Sequence, residues 1–124
     1  MKKIWPAMML SLLLSSCSNT PSYQHVSMSE AIDLMNRESS YVILDVRTYD
    51  EYQQGHIPGA IVVPNETIGT SEIPELPDKQ QMILVYCRSG NRSRQAAAKL
   101  AKLGYSNVIE FGGIIDWPLE IVKD

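Results

Sequence analysis

Cysteine is scarce in this chain: two among 124 residues, Cys17 and Cys87. Two thiols cannot staple a disulfide-dense scaffold or fill a four-thiolate zinc site. An excess of positive charge is missing too. Eleven Lys and Arg stand against 14 Asp and Glu, a net charge of −3, whereas nucleic-acid binding calls for a basic patch. No nucleic-acid partner is expected. No apolar run approaches the ~18 residues of a membrane-spanning helix, and no internal repeat is visible. Histidine occurs twice, as His25 and His56. With so few imidazoles and thiols, neither a metal nor a cofactor is expected. The remaining composition, 44% hydrophobic and 20% charged, is ordinary for one globular domain and excludes collagenous, low-complexity and largely disordered chains.

The amino terminus reads as a targeting segment. Met1-Lys2-Lys3 is positively charged, and an uncharged apolar stretch follows over residues 4–14. That is the shape of a secretory signal peptide. It ends in Leu14-Ser15-Ser16-Cys17, which resembles the bacterial lipobox: a large apolar residue, two small ones, then a thiol to carry lipid. The alternative is an ordinary cleaved signal with an incidental cysteine. The polar residues after Cys17 suit a tether, and several acyl chains on one residue give stable anchoring. The expected organisation is a signal peptide over 1–16, a lipidated Cys17 with a tether over 17–25, and a domain over 26–124. By resemblance to lipoprotein sorting, Ser18 in place of Asp implies an outer-membrane location facing the periplasm.

Within the domain, Ser27-Met28-Ser29-Glu30 fits a capping box and predicts a helix to about Arg37. Tyr41-Val42-Ile43-Leu44 reads as a buried parallel strand. Thr48-Tyr49-Asp50-Glu51 opens a short helix that Gly55 stops, and Ile61-Val62-Val63 is a second strand. Residues 65–78 read as a polar surface connection. Met82-Ile83-Leu84-Val85-Tyr86 is the strongest strand, followed by seven small or polar residues and an alanine-rich helix ended by Gly104. Val108-Ile109-Glu110-Phe111 is a fourth strand, and Gly112-Gly113 turns into a short helix around Ile114 to Trp117. Strands alternating with helices imply an α/β fold: a central parallel sheet of four to five strands, flanked by helices on both faces.

Ligands of such sheets bind beyond the carboxyl ends of the strands. Cys87 falls there, between a buried strand and a helix. The loop Cys87-Arg88-Ser89-Gly90-Asn91-Arg92-Ser93 is short, and its glycine permits sharp backbone angles. Inward N–H groups, the helix dipole and the cations Arg88, Arg92 and Arg94 all favour thiolate over thiol. Cys87 is therefore the candidate nucleophile, with no histidine base required.

The chain resembles the single-domain rhodaneses. The resemblance rests on the loop from Cys87 to Ser93, on Leu44-Asp45-Val46-Arg47 with Glu51-Tyr52 and Gly55-His56-Ile57-Pro58-Gly59-Ala60, and on Gly112-Gly113 with Trp117. It implies a rhodanese-like fold and a sulfurtransferase in which Cys87 takes a sulfane sulfur from a donor, either a small molecule such as thiosulfate or a protein persulfide, forms a persulfide and passes the sulfur to cyanide or a thiol. It also implies that Arg88, Ser89, Gly90, Asn91, Arg92 and Ser93 bind the donor and persulfide. Asp45, Arg47 and Glu51 are expected to brace the loop, with Asp45 accepting hydrogen bonds and Arg47 pairing with Glu51. His56 is expected to fix a turn, Tyr86 to pack, Trp117 to sit in the core or a pocket wall, and His25 to be solvated in the tether.

Two alternatives stand beside this. One is a persulfide carrier or sensor serving a partner protein. The other is a phosphatase or arsenate reductase of the same fold. In those enzymes five residues separate the cysteine from the arginine, but four separate Cys87 from Arg92. A thiol–disulfide oxidoreductase lacks a resolving cysteine.

Overall fold

The computed structural model describes residues 22–69 and 71–123; the expected signal peptide and Cys17 lie outside them. Five strands form one sheet: β1 (Gln24–His25), β2 (Val42–Asp45), β3 (Ile61–Val62), β4 (Ile83–Cys87) and β5 (Val108–Gly113). Their order is β1-β5-β4-β2-β3, and every pairing is parallel. The expected parallel sheet is thus present, with a fifth strand at the edge. Here the sequence reading needs correction. Residues 24–25 belong to the fold, not to a tether, because Gln24 and His25 pair with Ile109 and Glu110. A two-residue strand leaves no periodicity to detect.

The capping boxes form as expected. In α1 (Met28–Arg37), Ser27 accepts from the Glu30 amide while Glu30 accepts from the Ser27 amide. In α2 (Tyr49–Gln54), Thr48 and Glu51 do the same. Each box satisfies two otherwise unpaired helix-terminal donors. The third helix, α3 (Asn91–Lys102), starts earlier than its alanine run suggests, because Gly90 caps it with φ of 110°.

Two apolar layers bury the sheet. On one face, Leu44, Val85 and Val108 pack with Ala96, Ala97 and Leu100 of α3. On the other, Leu84, Tyr86, Ile109 and Phe111 pack with Ala31 of α1 and with Ile57, and Trp117 leans on this layer. Each fully buried aliphatic side chain contributes roughly 1.5–3 kcal/mol. Residues 65–78 are not merely a surface connection: Ile68, Ile73 and Leu76 are buried in the α3-side core. The Tyr105 hydroxyl ties this segment down by donating to the Leu76 carbonyl at 2.6 Å. The apolar residues are too widely spaced to read as an element, yet each finds the core.

Parallel strands point their carboxyl ends the same way. Asp45 ends β2, Cys87 ends β4 and Gly113 ends β5, so the fold delivers all three to one edge. Between β4 and β5 the register shifts, Val85 facing Glu110 but Cys87 facing Gly113. The extra residue re-aims this end of β5 toward the loop after Cys87.

Candidate active site

Cys87 is the last residue of β4 and is 1% exposed. The chain then turns through Arg88, Ser89 and Gly90 into α3. The Gly90 amide donates to Cys87 Sγ at 3.0 Å. The thiol itself points at Ser93 Oγ, 3.5 Å away. Burial pushes the Cys87 thiol up, but the Ser93 hydroxyl and the amides of Ser93, Gly90 and Ser89 more than reverse that, and its pKa lies below the ordinary value. Backbone N–H groups at a helix start are fixed dipoles that stabilise a thiolate.

Close packing of backbone makes this loop possible. Gly113 runs so near Arg88 that a Cβ on it would lie 2.0 Å from the Arg88 carbonyl oxygen. The paired glycines after β5 therefore serve as a seat for the loop, and the amide of Ile115 donates to that same carbonyl at 3.2 Å.

The bracing network differs from its expected wiring. Arg47 pairs with Asp45, not Glu51. Its Nε and Nη2 reach the Asp45 carboxylate at 2.6–3.1 Å, and Nη2 also donates to the Gly55 carbonyl at 2.7 Å. Burial disfavours the guanidinium, yet the bonds and charge of Asp45 leave its pKa raised. Glu51 is engaged elsewhere. It closes the α2 capping box and takes two hydrogen bonds from Arg92, at 2.7 and 3.0 Å. Chiefly through Arg92, the Glu51 carboxyl is held down at about 2. Arg92 is thus the loop's anchor to α2, while Arg88 at the mouth and Arg94 on α3 are exposed. Arg88 borders an open hollow of about 250 Å³ with Arg47, Glu51, Ile114, Ile115 and Ile121. Ser89 and Asn91 are exposed on the loop, and Gly90 is buried beneath it.

Tyr86 packs, as expected, and also bonds. Its hydroxyl donates to Asp45 Oδ2 at 2.6 Å and accepts from the Ile57 amide at 3.1 Å. Burial and the Asp45 charge push its pKa far above the usual phenol range. His56 has the turn-fixing place expected of it: it is buried, stacked on Tyr52 at 3.7 Å, and bridged through its backbone to Val122. His25 is not free in solvent, because its Nδ1 lies 2.6 Å from Glu110 Oε1. Glu110 itself escaped the sequence reading. It is 0% exposed, and Ser93 Oγ donates to its Oε2 at 2.5 Å. The available signal was an acidic residue inside an otherwise apolar strand. Among the described residues, no group of three or more His, Cys, Asp or Glu side chains could hold a metal ion.

The Rhodanese-like domain model matches residues 27–119. The chain belongs to the rhodanese-like family. It is 38% identical over 80 residues to Thiosulfate sulfurtransferase PspE of Escherichia coli, covering 64% of this chain and 77% of that one. It is 32% identical over 96 residues to Thiosulfate sulfurtransferase GlpE of Pseudoalteromonas translucida, covering 77% and 89%. Among solved structures, a rhodanese with anions from E. coli superposes with a TM-score of 0.62 at 35% identity, covering 68% of this chain and all of that one.

Proposed function

We propose that the protein is a sulfurtransferase that carries sulfur as a persulfide on Cys87. The observation that carries the reading is Cys87 Sγ, with its pKa lowered, under the Gly90 amide at the start of α3. The named activities of the sulfurtransferase relatives point the same way. In the first step the Cys87 thiolate attacks the outer sulfur of thiosulfate. An S–S bond forms at Cys87 as the donor's own S–S bond breaks, and sulfite leaves with the electron pair. In the second step a thiol or cyanide takes the outer sulfur, and the thiolate returns. The negative charge stays on sulfur throughout, which is what preorganised amides stabilise best. Arg88 draws the anionic donor to the mouth. Ser89, Gly90, Asn91, Arg92 and Ser93 form the cradle, and Asp45, Arg47 and Glu51 hold it in place. The four-residue interval from Cys87 to Arg92 suits a sulfur-sized cradle rather than that of a phosphatase or arsenate reductase.

Turnover of thiosulfate with cyanide, measured for the full chain beside Cys87→Ser, tests this. Activity abolished by the substitution is expected; equal activity in both would refute the reading. A carrier role has one observation of its own. Exposed Ile115 and Ile121 rim the hollow beside Arg88, a surface suited to a protein acceptor, and no turnover from folded protein would favour it. We further propose that the protein works in the bacterial envelope, on the outer membrane facing the periplasm, anchored by lipid on Cys17. Fatty-acid labelling lost in Cys17→Ser is the expected result; labelling that persists would refute the anchor.

A further inference from the structure

Glu110 is a wholly buried carboxyl behind the nucleophile, and the sulfur chemistry above makes no use of it. Two contacts tie it to Cys87 in series, and a third holds the same carboxylate oxygen. The Cys87 thiol donates to Ser93 Oγ, Ser93 Oγ donates to Glu110 Oε2 at 2.5 Å, and the Gly112 amide donates to the same oxygen at 2.9 Å. On the far side, Glu110 Oε1 meets His25 Nδ1 at 2.6 Å. Ser93 has a single hydroxyl proton. The carbonyls of Gly90 and Gly112 also lie within its reach, at 3.0 and 3.4 Å, but the carboxylate is nearest.

We propose that Glu110 is a positioning residue for the sulfur chemistry: it receives the Cys87 proton through Ser93 and so sets the supply of thiolate. The proposal rests on Cys87 being the nucleophile. The step is a paired transfer. The S–H bond breaks as an O–H bond forms at Ser93, and the original Ser93 O–H bond breaks as one forms at Glu110 Oε2. No oxidant or reductant takes part. One negative charge is present before and after, moved from carboxylate to sulfur. Losing the thiol proton to solvent would instead leave two negative charges in one buried site, which is unfavourable. Charged groups near the pair include His25 of β1, with Glu30 of α1 beyond it, and Arg88, Arg92 and Arg94 of the loop and α3, with Glu51 of α2 and Asp45 of β2 beyond Arg92. His25 acts on Glu30, and Arg92 on Cys87. The Arg94 guanidinium lies over Gly90.

Thiolate absorbance near 240 nm tests the relay. It is taken as the difference between the full chain and its Cys87→Ser counterpart, after reduction and removal of the reductant. On the acid side of the main titration the native chain should keep a thiolate fraction that no longer falls with pH, because that thiolate is paired with a protonated Glu110. Glu110→Gln cannot take the proton, so its thiolate should fall about tenfold per pH unit with no remnant. Ser93→Ala should shrink the remnant as well, because it removes the hydroxyl that donates to the thiolate once Glu110 holds the proton, and it keeps the test valid if Glu110→Gln fails to fold, since it only removes an oxygen. Ser93→Thr, with its hydroxyl, should retain it. A native chain without the remnant overturns the proposal. So does a remnant that survives both Glu110→Gln and Ser93→Ala, or one lost in His25→Gln but kept in Glu110→Gln. The absorbance needs no sulfur donor, so a chain that keeps the remnant but never turns over thiosulfate would refute the sulfurtransferase reading and leave the relay standing.

Discussion

Asp45→Asn is the substitution whose effect the geometry defines most sharply. The Asp45 carboxylate is 0% exposed and the Arg47 side chain 7%. That carboxylate receives three bonds from the guanidinium, one from the Arg47 amide at 2.9 Å and one from the Tyr86 hydroxyl. Asparagine keeps the shape but removes the charge and turns an NH2 toward groups that are already donors. Arg47 is left as a buried cation without its counter-charge, which costs about 3–5 kcal/mol. A small domain holds only about 5–15 kcal/mol in total. The folded-to-unfolded ratio should therefore drop by roughly two to three and a half powers of ten. In urea, with a slope of about 1.5 kcal/mol per molar, the midpoint should fall by about 2–3 M. Asp45→Asn combined with Arg47→Met leaves no unpaired charge and should recover at least half of the loss. Urea titrations of the three chains at neutral pH, followed by circular dichroism, measure this. A single variant displaced by less than about 0.5 M, or a double variant no better than the single, would refute the reasoning.

Two further outcomes follow from the loop's supports. The Glu51 carboxyl is held at about 2 in the folded chain, against about 4.3 when unfolded. Its contribution to stability is therefore full above the ordinary carboxylate range and lost as pH falls from about 4 toward 2; partial exposure keeps it small. Thermal melts should show a shallower acid decline over that window in Glu51→Gln, and identical declines would contradict it. Gly113→Ala places a methyl 2.0 Å from the Arg88 carbonyl, so the loop must move. A displacement of about 1 Å at the reacting atom lowers turnover about 100-fold, and unchanged kcat/KM for thiosulfate and cyanide would show the loop to be compliant.

The capping boxes, the apolar strand cores and the Cys87 loop are all written locally, in runs of four to seven residues, and were legible for that reason. Gly90, with its positive φ, capped α3 six residues upstream of its alanine run, a conformational effect that helix propensity does not report. The choice of partner for Arg47 was not local. Asp45 and Glu51 were both within reach by sequence, and only the folded chain shows Glu51 taken by Arg92, 41 residues away. Glu110 was hidden in the same way, because its partners His25 and Ser93 lie 85 and 17 residues off. Its acidic side chain in the middle of a buried strand was the visible mark of a polar contact still to be found.

The direction of the sheet also orients the domain in space. Strand β1 enters beside β5 near its start, with Ser22 and Tyr23 next to Ser106 and Asn107, at the amino ends of the strands. The nucleophile sits at their carboxyl ends. A chain held by the proposed lipid on Cys17 would therefore be gripped at one pole and carry its reactive sulfur at the other. The active loop thus lies on the far side of the domain from the point where the described chain enters it, leaving that end open to partners and donors.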